Sequence, residues 1–97
     1  MKNIWKVVSK IPKGKVVTYG QVAVAVGRNP SREGLVVSQA LTYAPDDVPC
    51  HRVVNRQGNL ANGYPGGQDA QREKLIEEGV GFITPYQVDL ESARHYY

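Results

Sequence analysis

The sequence predicts a mainly α domain with a small β-hairpin, winged helix-turn-helix-like in outline. Three observations predict it: an amphipathic start, two short helical segments joined by a Gly/Pro turn, and a glycine-tipped turn between apolar runs. In "NIWKVVSKI" (3–11), Ile4, Trp5, Val8 and Ile11 recur at helical spacing with lysines opposite, so a first helix is expected there, ended by Pro12 and Gly14. "KVVTY" reads as a short extended stretch. "TYGQ" (18–21) is a capping box, in which Thr18 accepts from a backbone N–H and Gln21 reaches back; it opens a helix over about 19–26 that stops at Gly27. After the turn "RNPSREG", residues 32–44 form the next helix candidate. Its small and polar positions, Gly34, Ser38, Gln39, Ala40 and Thr42, suit close approach to another helix or to a narrow groove.

"APDDVP" is a loop that delivers the chain to Cys50. "RVV" and "NL" around "NRQG" suggest the hairpin, with Gly58 supplying a positive φ. "DAQREKLIEEG" (69–79) is a further helix, with Asp69 near its start, Leu75 and Ile76 inward and Gly79 as terminator. The tail from Ile83 has no strong period, and its "VDLESARHYY" segment is expected to dock as a short helix.

At 97 residues the chain is expected to form one domain, 1–97, with no repeat or linker. No apolar run approaches the roughly 18 residues of a membrane span, and the N-terminus lacks the apolar core of a signal peptide. With a single cysteine, which allows no internal disulfide, this points to the cytoplasm. The net charge of +3 is unevenly placed: residues 1–60 carry nine Lys/Arg against Glu33, Asp46 and Asp47, whereas residues 61–97 carry three bases against six acids. Such a split suits a basic face for a polyanion, although chance and solubility produce it too.

The chemistry converges on "VPCHRVV" (48–54). A thiolate nucleophile needs a base and positive potential nearby, and "CHR" supplies both residue types. On an extended chain, however, adjacent residues face opposite ways, so His51 reaches the sulfur only at a sharp turn or through a water. One Cys with His51 and His95 lacks the paired spacing of a structural zinc site, so no metal or cofactor is expected. From composition and spacing alone, a nucleophile, half of a metal site and a buried space-filler all remain open, and the space-filler is favoured. Arg52 either contacts phosphate or satisfies a buried carbonyl; the structural role is the expectation. Arg56 reads as exposed.

"IPKGKVVTYGQVAVAVG", "VPCHRVV", "NGYPGG" and "EKLIEEGV" stand in the order, and nearly the spacing, of the C-terminal domain of O6-alkylguanine-DNA alkyltransferases, also called methylated-DNA–protein-cysteine methyltransferases. The resemblance covers residues 4 to about 82 and leaves the tail 83–97 unassigned. It implies the winged helix-turn-helix-like domain of the alkyltransferase C-terminal type. It further implies repair of O6-alkylguanine by base flipping and direct, single-turnover transfer of the alkyl group to Cys50. His51 would take the thiol proton through a water and Glu78 would orient that histidine. Tyr19 would press on the phosphate beside the target nucleotide and help rotate the base out. Val53 would offer a backbone carbonyl to the flipped guanine, while Pro49, Tyr64, Pro65 and Gly66 would wall the pocket. The partner would be double-stranded DNA held by its minor groove, about 6 Å wide, which small residues at Ser38 and Ala40 would fit. The protein would act as a monomer.

Four departures qualify the likeness. The family's usual N-terminal domain is not in this sequence, as in the small alkyltransferase-like proteins, which bind O6-alkylguanine without transfer and flag it for excision repair. Leu35 stands where the family's intercalating arginine lies; a leucine wedge still fills the gap between base steps, and Arg32, one turn earlier, is the alternative. "TYAPDDVPC" is shorter than usual and lacks the bracing asparagine. Pro65 follows Tyr64, and proline has no N–H to offer guanine O6. The leading expectation is a methyltransferase using Cys50. The alternative is a non-enzymatic, alkyltransferase-like sensor that recruits excision-repair proteins.

Overall fold

A computed structural model of the protein describes residues 2–29 and 34–97. The first helix, α1 (Lys2–Val8), is shorter than its apolar spacing suggests. Past Val8 the chain tightens into i→i+3 turns, Lys10 N–H to Val7 O and Ile11 N–H to Val8 O, and these carry Ile11 into the core. Trp5 is half-buried and donates from Nε1 to the Ala40 carbonyl at 2.7 Å, which ties α1 to the later helix α3.

Strand β1 (Val17–Thr18) leads directly into α2 (Tyr19–Ala25), and the expected capping box is there. Gln21 N–H donates to Thr18 Oγ1 at 3.2 Å, and Thr18 N–H donates to Gln21 Oε1 at 3.0 Å. α3 (Gly34–Thr42) follows. Arg32 lies outside the described residues. α1, α2 and α3 pack on one another around Ile4, Val8, Val22, Ala23, Val37 and Ala40.

β2 (Val53–Val54) pairs with β1 in parallel, Val17 opposite Val53 and Thr18 opposite Val54. Because neighbouring strand residues face opposite ways, this two-residue ribbon separates two cores. Val17 and Val53 face the three helices, whereas Val16 and Val54 join Leu60, Leu75, Val80, Val88 and Ala93. Helix α4 (Gly67–Glu77) contributes Leu75 to that second core and ends at Gly79, whose φ is +86°. Ile76 was expected to face inward with Leu75; it is 45% exposed, since adjacent helical positions diverge by about 100° and Leu75 takes the inner one.

The small hairpin lies in the tail rather than around "NRQG". β3 (Phe82–Thr84) and β4 (Gln87–Val88) pair antiparallel. Residues 55–58 do form a turn, with Gly58 N–H donating to Asn55 O at 2.9 Å, but its flanks pair elsewhere: Val53–Val54 with β1, and Asn59 with Gln87. Gly58 has φ +91°, and a Cβ there would stand 2.6 Å from the Val88 carbonyl. Gly58→Ala is therefore expected to cost about 2 kcal/mol in urea unfolding, from left-handed backbone strain and displacement of β4. The tail forms α5 (Leu90–Ala93), which docks as expected: Val16 N–H donates to Ala93 O and His95 N–H to Val16 O, so the residue just before β1 bridges to the end of α5.

Candidate active site and nucleic-acid interface

Pro49 ends the loop from α3 and starts a single 3-10 turn, Cys50–Arg52. That turn changes the problem posed by adjacent Cys and His. Successive residues of a 3-10 turn diverge by about 120°, so Cys50 and His51 are not forced onto opposite faces. Cys50 Sγ contacts the Leu41 carbonyl at 3.7 Å. His51 and Arg52 reach the C-terminus of α4, where Glu78 caps the helix.

Glu78 gathers four groups. His51 Nε2 lies 2.9 Å from its Oε2; Arg52 donates from Nε to Oε1 at 2.9 Å and from Nη2 to Oε2 at 2.7 Å. Gly14 N–H is 3.5 Å from Oε1, and the remaining arm of Arg52, Nη1, donates to the Ile11 carbonyl at 2.9 Å. Arg52 thus satisfies a buried carbonyl, as expected, and also forms a bidentate clamp on the carboxylate.

The electrostatics follow from burial. Burial pushes Glu78 up, but the bonds and charges of Arg52 and His51 outweigh it and hold the carboxyl at about 2. Glu78 is therefore ionised and accepts from Nε2–H, which makes Nδ1 the basic nitrogen of a neutral His51. Burial lowers His51 below its ordinary value despite the Glu78 contact, with Arg52 and Lys74 acting in the same direction as burial. Burial raises the Cys50 thiol, against a backbone hydrogen bond and the charge of Lys74. At rest the pair is thiol and imidazole.

Cys50 lies in the wall of a cavity of about 410 Å³, within the range of small-ligand sites. Tyr19, Ser38, Thr42, Asn55 and Tyr64 also line it. Tyr19, in the first turn of α2, is half-buried; burial, then the proximity of Cys50, raises its phenol. A second cavity, about 650 Å³, meets the first at Cys50, Tyr64 and Pro65 and is bounded by Asp46, Pro49 and Lys74. Lys74 Nζ stands 5.9 Å over the Tyr64 ring.

The expected residues fall into three groups. Cys50, Tyr19, Ser38, Tyr64 and Pro65 meet at the first cavity, with His51 and Glu78 behind. Leu35 stands on the outer face of α3, 71% exposed, in the same exposed stripe as Ser38, Gln39 and Thr42. Three expectations need correction. Ala40 does not face a groove: it is 1% exposed, packed in the first core with its carbonyl taken by Trp5. Val53 lines neither cavity; its side chain is in the core and its carbonyl accepts from Gln71 Nε2 at 3.2 Å. Gly66 lines neither cavity, and instead takes a left-handed conformation at the N-cap of α4.

Gln71 was not singled out, yet it is fully buried and organises the site. Its Nε2 donates to the His51 carbonyl at 3.1 Å as well as to Val53, and its Oε1 accepts from Ala61 N–H at 2.9 Å. One amide joins the Cys50 turn, β2 and the loop that walls the cavity. Asn55 and Asn59 are further polar wall residues, foreshadowed only by the density of asparagines in "NRQGNLANG".

The family model for 6-O-methylguanine DNA methyltransferase, DNA binding domain, matches residues 1–80. The chain belongs to this family. Among relatives of this methyltransferase-family domain, the DNA base-flipping protein of Escherichia coli is 38% identical over 98 residues, which cover 99% of this chain and 74% of that protein. A methylated-DNA–protein-cysteine methyltransferase of Methanothermobacter thermautotrophicus is 38% identical over 79 residues, 81% of this chain but 43% of that protein. S. pombe Atl1, solved with damaged DNA containing O6-carboxymethylguanine, superposes with a TM-score of 0.84 at 33% identity, covering 99% of this chain and 94% of that one. Mycobacterium tuberculosis OGT in complex with DNA gives 0.73 at 34% identity, over 80% of this chain and 47% of that one. The structural likeness agrees with the family's helical architecture and small hairpin. Among the described residues, no cluster of metal-ligating side chains is present and no helix is long and apolar enough to cross a membrane.

Proposed function

We propose that this protein repairs O6-alkylguanine in duplex DNA by flipping the damaged base into the cavity beside Cys50 and taking the alkyl group onto Sγ. The observation that carries the reading is the placement of Cys50 in a cavity wall with the His51–Glu78 pair, 2.9 Å apart, behind it. O6 is out of reach of a thiol inside a stacked duplex, so a cavity beside the thiol is what this reaction needs. The exposed α3 stripe of Leu35, Ser38, Gln39 and Thr42 is the groove-facing surface, with Leu35 as an apolar wedge.

In the step itself a sulfur lone pair forms the S–C bond while the C–O6 bond breaks and its electrons go to O6. The thiol proton passes to His51 Nδ1 through a water and is returned to the base. The products are a cysteine thioether and unmodified guanine, and each molecule acts once.

A second reading is supported by S. pombe Atl1, similar over nearly the whole chain, and by the resting state, in which a raised thiol and a lowered imidazole both oppose proton transfer. Under it the protein binds the lesion, transfers nothing and hands it to excision repair. Intact mass after incubation with an O6-methylguanine duplex separates the two. A gain of about 14 Da that Cys50→Ala abolishes is expected for transfer. Tight lesion binding at unchanged mass would leave the sensor, and equal affinity for undamaged duplex would remove both.

A further inference from the structure

Pro65 creates a deficit at the site. It lines the cavity at Cys50, and having no N–H it can donate nothing to an oxygen that gains charge there. Across the second cavity stands a cation that no expected role has absorbed. Lys74, on α4, lines the same space as Cys50, His51, Tyr64 and Pro65, and its Nζ is held over the Tyr64 ring at 5.9 Å. Arg52 is the other strong cation nearby, but Glu78 takes its charge in a bidentate pair, and among the described residues neither ion pair of this region includes Lys74.

We propose that Lys74 assists the alkyl transfer from a distance, supplying from α4 the positive potential that Pro65 withholds as negative charge passes from Sγ to O6. This rests on the transfer reading above. The S–C bond forms and the C–O6 bond breaks as already written; Lys74 exchanges neither protons nor electrons with the reactants. Its placement over an aromatic face suits this role, because the ring quadrupole holds an ammonium without neutralising it. The same charge acts on the free thiol, opposing the effect of burial on Cys50.

The other groups around Cys50 do not replace it. Tyr19 approaches from α2 as a phenol, and Tyr64 from the cavity loop likewise. Arg52 is paired with Glu78, and Asp46 and Asp47, on the loop opposite, carry the wrong sign; His51, neutral at rest, is a cation only while it holds the thiol proton.

The test uses the full chain, its Lys74→Gln and Lys74→Arg variants, and two readouts. The first is the pH profile of Cys50 alkylation by iodoacetamide, followed by intact mass, which needs no DNA. Lys74→Gln is expected to move the midpoint upward and slow alkylation about two- to fivefold at pH 8, with Lys74→Arg restoring most of it. The second is single-turnover methyl transfer from an O6-methylguanine duplex, expected to fall about tenfold in Lys74→Gln and to recover in Lys74→Arg. An unchanged alkylation profile in Lys74→Gln overturns the proposal, as does a shift that arginine fails to restore. If the parent protein transfers no methyl group, the transfer reading fails first and the role of Lys74 falls with it; the iodoacetamide profile then reports only whether Lys74 acts on the thiol.

Discussion

Glu78→Ala is expected to lower the stability of the protein by about 3–5 kcal/mol and to abolish methyl transfer. The carboxylate is 9% exposed and pairs with Arg52 and His51, so its removal leaves a guanidinium, 16% exposed, without its counter-charge. It also frees the His51 ring from the contact that fixes its tautomer. Urea unfolding at neutral pH measures the first effect, and intact mass after incubation with damaged duplex measures the second. A loss below about 1 kcal/mol would show that the clamp is solvated and replaceable.

The same residue predicts an acid limb. Its folded pKa of about 2 lies below the ordinary 4.5, so its contribution, on the order of 3 kcal/mol, is complete above pH 4.5 and is lost as pH falls toward 2. His51 is also held below its ordinary 6.5, so its contribution is lost in a separate, higher window that opens as pH falls through that value. In Glu78→Ala the lower window should flatten.

The second large effect is expected at Gln71. Gln71→Leu keeps the volume but removes both donors and the acceptor, stranding the carbonyls of His51 and Val53 and the amide of Ala61. Buried groups left without partners cost about 1–3 kcal/mol each, and shared relaxation brings the total to about 3 kcal/mol. Because two of the three lie within the Cys50–Val53 segment, lesion affinity should fall together with stability. A variant as stable as the parent would mean that water replaces the amide.

How much of this was legible in the sequence depends on how local the cause is. The Thr18–Gln21 capping box is a contract among four consecutive residues, and it reads directly. Cys50, His51 and Glu78 were legible as a set only through the motifs around them, since spacing alone favoured an inert thiol. Strands of two residues have no periodicity to show, so nothing marked the parallel β1–β2 pairing: β1 read only as the short extended stretch "KVVTY", and β2 looked like one arm of a hairpin around "NRQG". Gln71 sits in "QREKLIEE", among residues that are polar on every side, and nothing there marks the one that turns inward. Ala40 and Ser38 are both small, and only the helix packing that buries Ala40 in the first core separates core from outer face. Arg52 was read as structural, but its partners come from Ile11 and Glu78, far apart in the chain.

The β1–β2 ribbon also sets the order in which the site comes into being. Parallel pairing of Val17 with Val53 requires closure of a long loop containing α2 and α3, a slow kind of event because its entropy is lost before contacts compensate it. Tyr19 follows β1 and Cys50 precedes β2, so the same closure that brings the two cores together also sets the phenol against the thiol. During synthesis or refolding, then, Cys50 is an ordinary cysteine until the chain has completed its long-range closure. The cavity around it is a late product of folding.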